Sequence, residues 1–232
     1  ISCAQASDPA AYRSENALLY TRFLAHVPID EEESYYIDIF HVEGGKIRDY
    51  SFHAKGTKFS TALRLQEPKP HELPAWSGYE WGKQVDGNYR LKGKTEEPFY
   101  WTPPGDGYRF FSNLQLADGT QDWQAIWEDE KQRRLRLHML GEANRKIWVA
   151  DGPDVMDNVK YILARDEGKQ VSQYVSVIDT ARERGSKQGA FPVRQVERMK
   201  LNRPSSTAVC FKVILPGRTD YIYYDWEGDA NS

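Results

Sequence analysis

The chain has 232 residues, 40% hydrophobic and 13% aromatic, with a formal net charge of −3. That is enough apolar material for one large packed domain, while the slight acidity excludes the basic surface of a nucleic-acid binder. No run approaches the roughly 18 to 20 apolar residues of a membrane span, and the opening ISCAQASDPA lacks the charged and apolar regions of a signal peptide. Cys3 and Cys210 have no metal-type spacing, so a disulfide between them stays open and the redox compartment is undetermined.

Residues 1–12 read as an irregular segment, and residues 13–232 as a single domain with almost no helical period. Short runs of period two recur instead, which points to antiparallel strands. In chain order they are Asn16–Val27, Ser34–Val42, Lys46–Ala54, Tyr108–Leu116, Asp122–Trp127, Leu135–Leu140, Arg145–Ala150, Lys160–Asp166, Val171–Ile178, Phe191–Leu201, Thr207–Leu215 and Thr219–Asp225. About a dozen strands cannot remain one open sheet, so the expected fold is all-β, a large antiparallel β-sandwich. Gly44-Gly45, Asp118-Gly119, Glu167-Gly168 and Pro216-Gly217 supply the residues that tight hairpin turns need. Residues 66–107 break the alternation and form a long loop rich in Pro, Gly and aromatics, of the kind that is functional or disordered.

A two-residue turn at Gly44-Gly45 sets a register for YYIDIFHVEGGKIRDYSFHA, residues 35–54. It places His41 opposite Arg48, Asp38 opposite Ser51 and Tyr36 opposite His53. One face then carries Ile37, Ile39, Tyr50 and Phe52 and belongs to a core. The other gathers Tyr36, Asp38, Asp49, Ser51 and His53, a polar and aromatic wall suited to sugar hydroxyls and ring faces. Satisfied structural pairs are the alternative for the same residues.

Trp76, Trp81 and Trp101 in the long loop are further candidate sugar platforms, with plugs for the ends of the sandwich as the other reading. Trp123 and Trp127 share strand parity and are expected in the core. In KQRRLRLHML, Arg134, Arg136 and His138 should alternate toward solvent, and Arg134 and Arg136 are candidate contacts for an acidic polymer. Asp38 and Asp49 on adjacent strands are a weak glycosidase pair. No catalytic residue stands out, nor any zinc spacing, phosphate loop or Ser/His/Asp arrangement, and no cofactor or metal is expected.

Four segments together carry a resemblance. YRSENALLYTRFLAHV, YYIDIFHVEGGKIRDYSFHA, LRLHMLGEANRKIWVADGP and YVSVIDTARERGSKQGAFPVRQVERMKL follow one another as corresponding segments do in heparinase II/III-like polysaccharide lyases. The likeness runs from about Tyr12 to Asp225, and Asp38 to Gly45 with Asp49-Tyr50 and Phe52-His53 is its most specific part. Where the family has Arg on the first strand and often His on the second, this chain has His41 and Arg48 exchanged. The resemblance implies the C-terminal β-sandwich of a two-part protein, facing an N-terminal α/α toroid across a cleft for uronic-acid polysaccharide. Family enzymes work by β-elimination, in which a Tyr or His takes the proton beside a neutralised carboxylate.

The base comes mostly from the toroid, and a His-x-His pair near the start of the sandwich helps hold a structural metal. None of His26, His41, His53, His71 and His138 forms such a pair. The expectation is therefore a wall of the cleft, inactive alone, with the toroid and an acidic polysaccharide as partners. By the same resemblance the protein is secreted or periplasmic. A non-catalytic carbohydrate-binding or structural module is the alternative.

Overall fold

The computed structural model describes residues 1–8, 16–74, 77, 108, 111–153, 158–181, 189–202 and 207–227. Among these there is no α-helix, and fourteen strands follow in order. They are β1 Ser2–Ser7, β2 Ala17–Pro28, β3 Ser34–Gly44, β4 Ile47–His53, β5 Lys58–Thr61, β6 Ser112–Asp118 and β7 Trp123–Glu128. After them come β8 Arg134–Met139, β9 Lys146–Pro153, β10 Asn158–Glu167, β11 Val171–Ala181, β12 Gln195–Arg198, β13 Ala208–Leu215 and β14 Arg218–Asp225. Each of the twelve expected strands is present, although the run Phe191–Leu201 shortens to β12. Two were not expected: β1 occupies the segment read as irregular, and β5 is a four-residue strand.

The strands form three antiparallel sheets, ordered β1-β2-β3-β11-β8-β7-β5, β4-β10-β9-β6 and β12-β13-β14. The seven-stranded sheet lies in the middle, and its inner strands bury both faces. Tyr35, Ile37 and Ile39 of β3, with Val175 and Val177 of β11, pack on Val209, Phe211 and Val213 of the three-stranded sheet. The alternate residues Phe40, Val42 and Tyr174 pack with Trp123, Trp127 and Leu137 on Tyr50, Ile147, Val149 and Ile162 of the four-stranded sheet. Period two along β3 therefore separates two cores instead of separating core from water, which is why YYIDIFHV is apolar on both sides. Trp123 and Trp127 are buried as expected.

The turns depart from expectation. Only Pro216-Gly217 closes a hairpin, joining the paired strands β13 and β14. At Gly44-Gly45, Asp118-Gly119 and Glu167-Gly168 the chain passes from one sheet to another. The 35–54 segment is thus an arch: β3 is flanked by β2 and β11, leaving no free edge, and β4 pairs with β10. The expected pairs His41/Arg48, Asp38/Ser51 and Tyr36/His53 are not formed. Gly44 and Gly45 do have positive φ, 75° and 67°, yet their N–H groups donate to Gln170 O and Asn16 O on the flanking segments. A Cβ on Gly44 would lie 2.3 Å from Asn16 O, so glycine is required by close approach as well as by φ.

Arg48 locks this arch to the next. Its Nη1 donates to Gly44 O and Gly45 O at 2.6 and 2.9 Å, its Nε to Ser172 Oγ at 2.8 Å, and its Nη2 to Lys169 O. One guanidinium so holds the carbonyls of the β3–β4 arch and the neighbouring β10–β11 arch. Beside it, Tyr174 Oη donates to Arg48 O at 2.7 Å, and Arg145 makes a two-pronged pair with Asp166 at 3.0 and 2.9 Å. Burial pushes the Asp166 carboxyl up, but the hydrogen bonds and charge of Arg145 outweigh it and hold the group below the usual carboxylate range. We expect Arg48→Ala to lower unfolding free energy by about 3 kcal/mol or more in urea denaturation, because several buried acceptors lose their donor at once. Arg48→Lys should recover little of this, since an ammonium cannot span a planar fork of acceptors.

Candidate functional site

The arch scatters the residues expected on one polar wall. Asp38 faces the four-stranded sheet from β3 and is 0% exposed. Its carboxylate accepts from Arg22 Nε at 2.9 Å, from Arg22 Nη2 at 2.5 Å and from Tyr50 Oη at 2.9 Å. Tyr50 Oη also lies 3.1 Å from Ser176 Oγ, so Asp38 belongs to a hydrogen-bonded network between the sheets that reaches solvent only through Arg22. Tyr36, two residues earlier, is exposed at the rim and packs on His26 with ring centroids 5.0 Å apart. Asp49 and His53 lie on the outer face of the four-stranded sheet instead. Arg165 donates to both Asp49 oxygens at 2.7 and 2.6 Å, and exposed His53 stacks on Tyr161 at 4.2 Å. Asp38 and Asp49 thus sit on opposite sides of that sheet, each bound to an arginine, and cannot flank one glycosidic bond as a carboxylate pair must.

Arg134 and Arg136 alternate with Leu135 and Leu137 as expected, but Arg136 and His138 are only 9% and 8% exposed. The segment 189–193 covers Arg134 and Arg136. Arg136 donates to both oxygens of Asp179 at 3.0 and 2.8 Å and to Val193 O, with its guanidinium carbon 4.1 Å from the Phe191 ring centre. Arg134 reaches Gly189 O. Arg136 is therefore a core ion pair. Trp76, Trp81 and Trp101 lie outside the described residues. Cys3 and Cys210 are free thiols.

A concave polar surface lies at the end of the sandwich where β5 meets β6, β9 and β10. Two adjoining hollows of about 590 and 400 Å³ share Gln115, Asp151 and Lys160, within the range of ligand sites. Their geometry begins in β6, whose register to β9 slips between Ser112 and Gln115, with Asn113 at φ 51°. Such bulges redirect side chains. Here Asn113 Nδ2 donates to Asp151 Oδ2 at 2.7 Å, while Lys160 Nζ lies 2.6 Å from Asp151 Oδ1. Phe59, Leu63 and Leu65 form an apolar side, and Ser60, Thr61, Gln115 and Asn158 supply hydroxyl and amide groups. The sequence reading missed this set because it joins residues from four strands; the only local sign is an Asn in a strand-like run. A third hollow of about 660 Å³, between β14 and β2–β3, is largely apolar, and the one carboxylate among its described lining residues, Asp220, is held by Tyr35 Oη at 2.8 Å and by Arg218 at 3.1 Å.

The core tyrosines are poorly disposed to act as catalytic bases. Burial, foremost, pushes the Tyr50, Tyr174 and Tyr35 phenols well above the ordinary range, the opposite of what a tyrosine base requires. Among the described residues no three His, Cys, Asp or Glu side chains converge as metal ligands.

No family model matches the chain, and no curated protein matches it. It is similar in structure to two heparinase III structures, one of them with methylated lysines. The first aligns with 96% of this chain at 10% identity and a TM-score of 0.47, the second with 89% at 9% and 0.41. The chain spans about a quarter of the length of each, 25% and 26%.

His138 gives a pH test of this description. Burial, then the Arg136 charge, lower its pKa to about 3; Asp179 Oδ1 is 3.8 Å away, beyond hydrogen-bond reach, and does not reverse this. An unfolded histidine titrates near 6.5, so between about 6.5 and 3 the unfolded chain binds the extra proton and stability falls as pH falls. Urea denaturation across that window should show a slope of up to about 1.4 kcal/mol per pH unit from this group. His138→Gln should remove that part of the slope.

Proposed function

We propose that this chain is a polysaccharide lyase-like β-sandwich that supplies a carbohydrate-binding wall and no catalytic base. In this reading it is the C-terminal part of a secreted or periplasmic heparinase II/III-like protein. Its partners are an α/α toroid, which carries the proton-abstracting residues, and a uronic-acid polysaccharide that is cleaved by β-elimination. The observation that carries the binding role is the groove at the sandwich end, where the Asp151–Lys160–Asn113 cluster meets hydroxyls and amides beside an apolar side. That combination suits a pyranose, which presents hydroxyls at its rim and C–H groups on its faces. The run of corresponding segments from about Tyr12 to Asp225 supports the lyase-like assignment. Two facts favour a non-catalytic part: the core tyrosines have raised pKa values, and Asp38 and Asp49 are held apart in separate ion pairs.

The test uses the chain as it stands. Incubated with heparan sulfate or alginate, it should give no ultraviolet absorbance from unsaturated products, while still being retarded by heparan sulfate, which alternates uronates with glucosamine units, in affinity electrophoresis. Asp151→Ala combined with Lys160→Ala should abolish the retardation with little change in melting temperature, since both side chains are partly exposed at the rim. Robust unsaturated product from this chain alone would refute the assignment of the base to another domain.

A further inference from the structure

The charges of the groove restrict which sugar it admits. Lys160 is held by Asp151, and Lys58 is bound to Glu128 at 2.6 Å. These are the lysines that line the hollows among the described residues. Asp151 has both oxygens occupied, by Lys160 and by Asn113. Glu67, which lines the second hollow, is exposed and brings a further negative charge. Among the described residues the pairs Lys160–Asp151 and Lys58–Glu128 cancel, and Glu67 leaves one net negative charge.

From this we infer that the groove selects an uncharged pyranose and disfavours a uronate, so that a bound mixed polymer seats a neutral sugar there and keeps its carboxylates outside. The inference rests on the carbohydrate reading above and deepens it. A uronate carboxylate needs a cation with free donor capacity and no opposing carboxylate nearby. Lys160 retains N–H groups for hydroxyl oxygens, but its charge is already neutralised by Asp151 in contact. A sugar carboxylate entering the groove therefore meets the charge of Glu67, and among the described lining residues no unpaired cation offsets it. A neutral ring meets the same groove without that repulsion: Gln115, Asn158 and Ser60 offer donors and acceptors at its edge, and Phe59 and Leu63 offer an apolar contact for its face.

The experiment is calorimetric titration of the full chain with a neutral N-acetylglucosamine oligomer and with an oligogalacturonate of equal length. It is run at about 10 mM salt, where screening extends only beyond about 30 Å. The neutral oligomer should bind more tightly, by up to about five-fold for each uronate that would enter the groove. Glu67→Lys, at an exposed position, should then raise galacturonate affinity by up to about ten-fold and leave the neutral oligomer within about two-fold. Galacturonate binding as tightly as the neutral oligomer in the unaltered chain, or unaffected by Glu67→Lys, overturns the selectivity and leaves the binding role standing. Binding of neither oligomer removes the carbohydrate reading itself, and the selectivity with it.

Discussion

The architecture depends on one buried guanidinium. Arg48 stands where two arches pass side by side between the central sheet and the four-stranded sheet, and its donors hold carbonyls from both. A chain that leaves a sheet must abandon ladder hydrogen bonds, and buried carbonyls without partners are costly. A single planar donor that satisfies three carbonyls and a serine hydroxyl removes that cost where it would be greatest. Tyr174 and the Arg145–Asp166 pair pack around it, so the corner is a polar knot set within an apolar interior.

From that corner follows the fate of the polar residues on β3 and β4. Had the two strands paired, Tyr36, Asp38 and His53 would have shared a face. With the arch, β3 becomes an inner strand of a sheet covered on both sides, and its carboxylate must be neutralised in place by Arg22 and Tyr50. β4 turns its odd residues outward, where Asp49 meets Arg165 and His53 meets Tyr161. The charged groups of the interior are consistently paired, as burial demands. The groove is different in kind, because its polar groups lie at a strand end and several keep free valences toward solvent.

The sequence made the strands legible because each run of alternating residues has the length and turn flanks of a strand, and burial on at least one face enforces period two. It also placed Trp123 and Trp127 correctly, since parity alone fixes their common face. It could not show which strands pair. Gly44 and Gly45 have the positive φ of a hairpin turn and still direct their N–H groups to Gln170 and Asn16, because whether β4 finds a free edge on β3 depends on β2 and β11, which lie elsewhere in the chain. Arg136 shows the same limit: its alternation was read properly, but the segment 189–193 that buries it is more than fifty residues distant.

What the sequence determined by itself is the element type and the approximate strand ends. What only the tertiary structure decided is pairing, layering and site. The physical reason is that strand formation answers to local periodicity and turn chemistry, whereas sheet membership answers to competition among many edges for partners. Asp151, Lys160, Asn113 and Gln115 come from β6, β9 and β10, and nothing in the local sequence of any one of them requires the other two.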